Sequence, residues 1–211
     1  MTKVYITDYI EDPHLEREIL KGSLCDSPSS DVEVLIVWHQ LINAKYLSQF
    51  PNLRGVVRYG VGFDGVDLEE IKNRRLVFCN TPDYGTDEVS DTALAMMLSL
   101  LRGVFAYNFM CKNYFDNSWQ ENTIPELRRV SSLVLGVIGA GRIGTALMRK
   151  AKVLGMSVVF YDPYKESGYE KAIGVSRSYD LADFLKQSDV VSLHTPLTSE
   201  TLAMVDEDFI N

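Results

Sequence analysis

The stretch Gly139-Ala140-Gly141-Arg142-Ile143-Gly144 constrains this chain more than any other. Three glycines at this spacing are weak evidence alone, but their neighbours agree with them. Val134-Leu135-Gly136-Val137-Ile138 before them reads as a strand, and Arg142 to Leu154 after them reads as a helix. In such a unit Gly139 allows a tight turn, Gly141 lets the backbone approach a pyrophosphate, and Gly144 lets the helix pack close to the sheet. The helix N-terminus adds free N–H groups and about half a positive charge, which suits a diphosphate. A second strand, Val158 to Tyr161, then ends at Asp162. An acid about 20 residues past such a loop hydrogen-bonds a ribose diol and repels a 2′-phosphate. The pattern therefore implies NAD in preference to NADP.

Three further places bear on ligands. Arg142 sits in the loop, where its guanidinium either pairs with a phosphate or is a solvated surface group. His194-Thr195-Pro196 closes a later strand, and the carboxyl end of a parallel strand is either a cofactor contact or a plain strand end. Arg58-Tyr59-Gly60-Val61-Gly62-Phe63-Asp64 closes a strand near the N-terminus. It is either a simple glycine turn or a nest of N–H groups for an anion, with Arg58 offering a fork to a carboxylate.

Around these motifs, strand-like and helix-like segments alternate. Strands are expected over Lys3–Thr7, Val32–Trp38, Gly55–Tyr59 and Leu76–Cys79, and helices over Pro13–Lys21, Ala44–Phe50 and from Leu68. Asp67 with Glu70 three residues later matches a capping box. This rhythm implies α/β architecture with parallel sheets, because parallel strands need crossovers of this length. A first domain is expected over 1–82 and a second over 83–211. In the second, Asp91 to Met110 reads as one helix, apolar almost all round, and so a core helix, a helix between two domains or a subunit interface. Residues 111–131, with Trp119 and Pro125, read as a linker carrying a short helix at Glu126–Val130. The alternation then resumes through a helix at Leu181–Gln187 and a strand at Val190–His194.

Bulk properties narrow the partners. Of 211 residues, 29 are acidic and 21 basic, giving a net charge of −8 that disfavours a phosphate backbone as partner. Cys25, Cys79 and Cys111 are odd in number and widely spaced, matching neither a disulfide framework nor a zinc site. With no signal-peptide layout at Met1-Thr2-Lys3, and with Ala93–Met110 too short and too interrupted to span a bilayer, a cytoplasmic location is expected.

Taken together, the motifs resemble the D-isomer-specific 2-hydroxyacid dehydrogenase family, in its phosphoglycerate dehydrogenase and C-terminal-binding-protein branch. The stretches that carry the resemblance are Arg58 to Asp64, Cys79-Asn80-Thr81-Pro82, Gly139 to Gly144, Phe160-Tyr161-Asp162-Pro163-Tyr164 and Ser192 to Thr198, in family order and spacing. The resemblance implies a flavodoxin-like substrate domain followed by a partial Rossmann domain. It implies that Arg58, Val61 and Gly62 touch the substrate carboxylate and the nicotinamide end. Gly139, Gly141, Arg142, Ile143 and Gly144 match the pyrophosphate loop, Asp162 the ribose-binding acid, and Thr195, Pro196 and Thr201 a loop lining the cofactor. The 91–110 helix matches one that builds a homodimer. Two positions depart from the pattern: Gly65 stands where the family usually has Asn, and Ser131-Ser132 where it usually has Gly.

The family's catalytic histidine, its orienting glutamate and a substrate-binding arginine match nothing in these residues. Asp206 to Asn211 reads as the start of a further helix. The expectation is a C-terminally truncated dehydrogenase for a small 2-keto or 2-hydroxy acid, inactive and of limited stability by itself. A non-catalytic NAD-sensing scaffold of the co-repressor kind and a degenerate remnant stay open beside it. His194 matches the strand-end position and is not expected to be the catalytic acid. His14 and His39 have no family counterpart.

Overall fold

The computed structural model describes residues 1–8, 10–112 and 124–210. They form two units, Met1–Tyr84 with Pro196–Ser199, and Gly85–Thr195 with Glu200–Asn211.

The first unit has strands β1 (Val4–Ile6), β2 (Leu24–Cys25), β3 (Val34–Val37), β4 (Gly55–Arg58) and β5 (Val77–Asn80). Helices α1 (His14–Leu20), α2 (Ala44–Leu47) and α3 (Leu68–Asn73) connect them. The sheet runs β2-β1-β3-β4-β5, parallel throughout. Val32, Leu35, Val37, Ile42, Leu47, Phe50 and Val56 form its buried core. Burial of each large side chain is worth about 1.5–3 kcal/mol, which explains why the dense apolar run of β3 sits at the centre. The Asp67 carboxylate accepts the Glu70 N–H at 2.9 Å and starts α3, as the capping pattern implied. The two-residue β2 was not foreseen, because Leu24-Cys25 is too short to show a period.

The second unit opens with α4 (Thr86–Leu101) and α5 (Val104–Lys112). The single helix read over Asp91–Met110 is thus two, bent by 61°. Gly103, at φ +62°, breaks it in the left-handed region that glycine tolerates best. α4 packs one face, through Met97, Ala93, Leu94, Leu98 and Leu101, on the core of its own unit, and its other face and α5 stay exposed. Only Ser90 and Met97 of α4 are buried, and no residue of α5 is. No single helix among the described residues is long and apolar enough to cross a membrane.

Part of the linker read over 111–131, Trp119 included, lies outside the described residues. Within the rest, the short helix expected at Glu126–Val130 does not form. Pro125 and Glu126 instead form a turn in which the Leu127 N–H donates to the Ile124 carbonyl at 3.2 Å, and the Arg128 guanidinium donates to the Asp189 carboxylate at 2.5 Å and to the Ser132 carbonyl at 3.3 Å, before a 3-10 turn at Val130–Ser132.

The alternating core of this unit follows: β6 (Val134–Ile138), α6 (Arg142–Val153), β7 (Ser157–Tyr161), α7 (Tyr169–Ile173), β8 (Ser176–Ser178), α8 (Leu181–Gln187), β9 (Val190–Leu193) and α9 (Glu207–Ile210). Its sheet is also parallel, in the order β8-β7-β6-β9. Leu135, Val137, Leu147, Met148 and Phe160 pack on one side, and Ile138, Val159 and Phe184 on the other. The order reverses between β6 and β9. In an open α/β sheet this is where the carboxyl ends of the strands diverge and leave a crevice for a ligand.

Candidate dinucleotide site

The glycine loop lies at that reversal. β6 ends at Ile138, the loop turns, and α6 begins at Arg142. Gly139 takes φ +90°, and a Cβ built there would lie 2.7 Å from the His194 carbonyl oxygen. The turn can therefore run close against the end of β9 only as glycine, which brings Thr195 beside the loop. A Cβ at Gly144 would overlap the Gly139 carbonyl oxygen, so the third glycine lets α6 close onto the loop itself. At Gly141 a Cβ would meet nothing within 4 Å. That glycine is not required by the protein's own packing, and the space it leaves is open to a ligand.

Donors converge on the same space. Gly141 caps α6 without a side-chain bond, and the first helical bond runs from Thr145 N–H to the Gly141 carbonyl at 2.9 Å. The N–H groups of Arg142, Ile143 and Gly144 are left without acceptors inside the helix. The Arg142 side chain is exposed, with no hydrogen bond or ion pair among the described residues. Such an arrangement of donors suits a doubly charged group such as a pyrophosphate.

Asp162, just after β7, is half-buried. One carboxylate oxygen accepts the Ala140 N–H at 2.8 Å, and the other accepts the Tyr164 N–H at 2.9 Å. The acid thus ties the end of β7 to the glycine loop. Each oxygen keeps a lone pair for a further donor such as a ribose hydroxyl. Thr145 supports the loop from α6: its hydroxyl donates to the Ala140 carbonyl at 3.2 Å and pairs with the Tyr169 hydroxyl at 2.7 Å. The sequence carried no signal for Thr145 or Tyr169, since a threonine in a first helical turn and a lone tyrosine are common anywhere.

His194 lies at the end of β9. Its N–H donates to the Ile138 carbonyl at 2.8 Å, and its Nε2 shares a hydrogen bond with the Ser192 hydroxyl at 2.9 Å. Burial pushes its imidazole below the usual histidine value. Thr201 also belongs to this unit, whereas Pro196 belongs to the first.

In the first unit, Arg58 ends β4, and Val61 and Gly62 lie in the turn that follows it. Asn80 and Thr81, at the end of β5, hold that turn through the Val61 carbonyl at 2.9 Å and the Arg58 carbonyl at 3.2 Å. The N–H groups of Val61 and Gly62 have no acceptor among the described residues. The Arg58 guanidinium donates to the Tyr59 carbonyl at 3.0 Å and lies 5.7 Å from the Trp38 ring centre. A Cβ at Gly60 would overlap that guanidinium, so Gly60 makes its position possible. Gly60 was not among the expected site residues, because the resemblance placed only Arg58, Val61 and Gly62 against the ligand.

The comparisons with known proteins agree with this geometry. Residues 94–211 match the family model described as D-isomer specific 2-hydroxyacid dehydrogenase, NAD binding domain. C-terminal-binding protein 1 of Caenorhabditis elegans is 29% identical over 215 residues, covering 93% of this chain and 29% of that protein. Glyoxylate reductase of Korarchaeum cryptofilum is 35% identical over 170 residues, covering 79% of this chain and 50% of that protein. The chain thus spans half or less of the length of these relatives. The crystal structure of a D-lactate dehydrogenase from Aquifex aeolicus, complexed with NAD and lactic acid, superposes with a TM-score of 0.83 at 30% identity, covering 99% of this chain and 65% of that one. The chain belongs to the D-isomer specific 2-hydroxyacid dehydrogenase family, and residues 94–211 carry that family's NAD-binding domain.

Proposed function

We propose that Gly139, Gly141, Arg142, Ile143 and Gly144 bind the pyrophosphate of NAD, and that Asp162 receives the adenosine ribose. Thr195, Pro196 and Thr201 line the rest of the cofactor. The observation that carries this reading is the open space over Gly141, faced by unpaired helix N–H groups and bordered by Asp162. The turn at Arg58, Val61 and Gly62 receives the carboxylate of a small 2-keto or 2-hydroxy acid through its two free N–H groups, with Arg58 beside them. The activity served is the interconversion of a 2-keto acid and a D-2-hydroxy acid. Bound NAD supplies or accepts the hydride. The residues here orient the cofactor and neutralise the substrate carboxylate.

We assign the general acid/base to none of these 211 residues. The one histidine of the second unit, His194, is bonded to a serine rather than a carboxylate. The similarity to C-terminal-binding protein 1 favours a second reading, an NAD-sensing scaffold without turnover. A homodimer through α4 and α5 fits either reading. A cytoplasmic, reducing compartment suits the unpaired Cys25, Cys79 and Cys111.

The test is glyoxylate binding to the 211-residue chain in the presence of NADH, with Arg58→Gln as control. Binding that weakens in the variant supports the dehydrogenase reading. NADH binding with no glyoxylate binding supports the scaffold. Measurable NADH oxidation by this chain would overturn the absence of an acid/base residue.

A further inference from the structure

Arg177 lies on β8, opposite Phe160 of β7. Its side chain is only 5% exposed. The guanidinium carbon sits 5.7 Å from the Phe160 ring centre and 4.6 Å from that of Tyr179. Nη2 donates to the carbonyls of Asp162 at 2.7 Å and Lys165 at 2.9 Å, and Nη1 donates to the carbonyl of Glu166 at 3.2 Å. The Glu170 carboxylate is 4.0 Å away, and Nε is buried with no acceptor among the described residues.

Burying a guanidinium with one N–H unsatisfied is costly, so what it holds must compensate. All three carbonyls belong to a single turn, Asp162 to Glu166. That turn begins with the acid whose carboxylate is bonded to Ala140 and Tyr164. Asp162 is therefore gripped twice, by Arg177 through its backbone and by the two N–H groups through its side chain. The donors of Arg177 that find partners all point at carbonyls, so its charge is not presented to a phosphate. A planar five-donor fork suits this task. A lysine ammonium cannot span the same three acceptors.

We propose that Arg177 is a positioning residue for the adenosine end of the cofactor: it fixes the Asp162 turn and thereby sets the preference for NAD over NADP. This rests on the reading that Asp162 meets the ribose. A merely structural role would weaken all dinucleotides alike. A role through Asp162 weakens those with a free 2′-hydroxyl and spares the one with a 2′-phosphate.

The experiment measures binding of NADH, NADPH and ADP-ribose to the full 211-residue chain and to its Arg177→Lys and Arg177→Met variants. Thermal melting checks that each is folded. Arg177→Lys keeps charge and most of the volume, so it carries the test if Arg177→Met does not fold. The expected result is a loss of about tenfold for NADH and ADP-ribose in Arg177→Lys, the scale of one charge-assisted hydrogen bond, with NADPH changed much less. In an Asp162→Asn background, Arg177→Lys has little further effect on the NADH-to-NADPH ratio. An unchanged ratio in Arg177→Lys, whether affinities fall together or not at all, overturns the proposal and leaves the Asp162 reading standing. A wild-type chain with no preference for NADH, or an Asp162→Asn variant that keeps the preference, overturns both.

Discussion

The carboxylate of Asp162 and the backbone N–H of Ala140 are hydrogen-bonded at 2.8 Å, across 22 residues of sequence. Ala140 lies inside the glycine loop and Asp162 at the end of the neighbouring strand. The acid proposed to meet the ribose also holds the loop proposed to receive the pyrophosphate. In Asp162→Asn the side chain has one acceptor oxygen in place of two and no charge. NADH affinity should fall about tenfold or more, while NADPH affinity should fall less or rise, as measured by equilibrium titration. An equal fall for both dinucleotides would contradict a contact with the ribose.

The two glycines at either end of α6's first turn should behave oppositely. A methyl group at Gly144 overlaps the Gly139 carbonyl, so Gly144→Ala should destabilise the fold by about 1–3 kcal/mol in denaturant unfolding. A methyl group at Gly141 meets nothing, and Gly141 has φ −73°, which alanine adopts freely. Gly141→Ala should therefore leave the unfolding midpoint unchanged and still abolish tight NADH binding. A Gly141→Ala chain that binds NADH normally would place the pyrophosphate elsewhere.

Stability should depend on pH through His194. Burial lowers its folded value below the unfolded one, near 6.5. As pH falls, the unfolded chain takes up the proton first. The stability contribution is complete above the unfolded value and is lost as pH falls through the window down to the folded value. His194→Gln should flatten that part of the curve. Identical pH dependence in wild type and variant, followed by denaturant midpoints across the window, would remove His194 as its source.

Helices α4 and α5 present Met96, Leu100, Phe105 and Phe109 at 63%, 66%, 67% and 69% exposure. Apolar residues clustered in this way mark a protein–protein contact. Sedimentation equilibrium should show a dimer, and Leu100→Glu with Phe105→Glu should weaken it by about tenfold or more. A wild-type chain that stays monomeric at high concentration would contradict the proposed interface.

Much of the fold was legible because the chain states it locally. The β-branched runs at Val134–Ile138 and Val34–Val37, the Asp67 cap and the spacing of Gly139, Gly141 and Gly144 each have a nearby physical cause. What escaped depends on partners far along the chain or outside it. Ser176-Arg177-Ser178 has no apolar alternation, and it is a strand because it pairs with Val159, Phe160 and Tyr161. The apolar run of α4 and α5 left core and interface open, since composition does not show which residues of a helix its own chain covers. Position alone marked Asp162 as an acid for a ribose, but not that both its oxygens are held by backbone N–H groups. Nor did it show that Arg177 grips the same turn from the sheet side.

The central claim is that the Gly139–Gly144 loop and Asp162 form an NAD site. Titration of the purified 211-residue chain with NADH and with NADPH tests it most directly. Saturable NADH binding at one equivalent per chain is expected, tighter than NADPH by about tenfold or more, the scale of a repelled or unpaired charge at the 2′ position. A cooperatively melting chain that binds neither dinucleotide, or binds both equally, would contradict it.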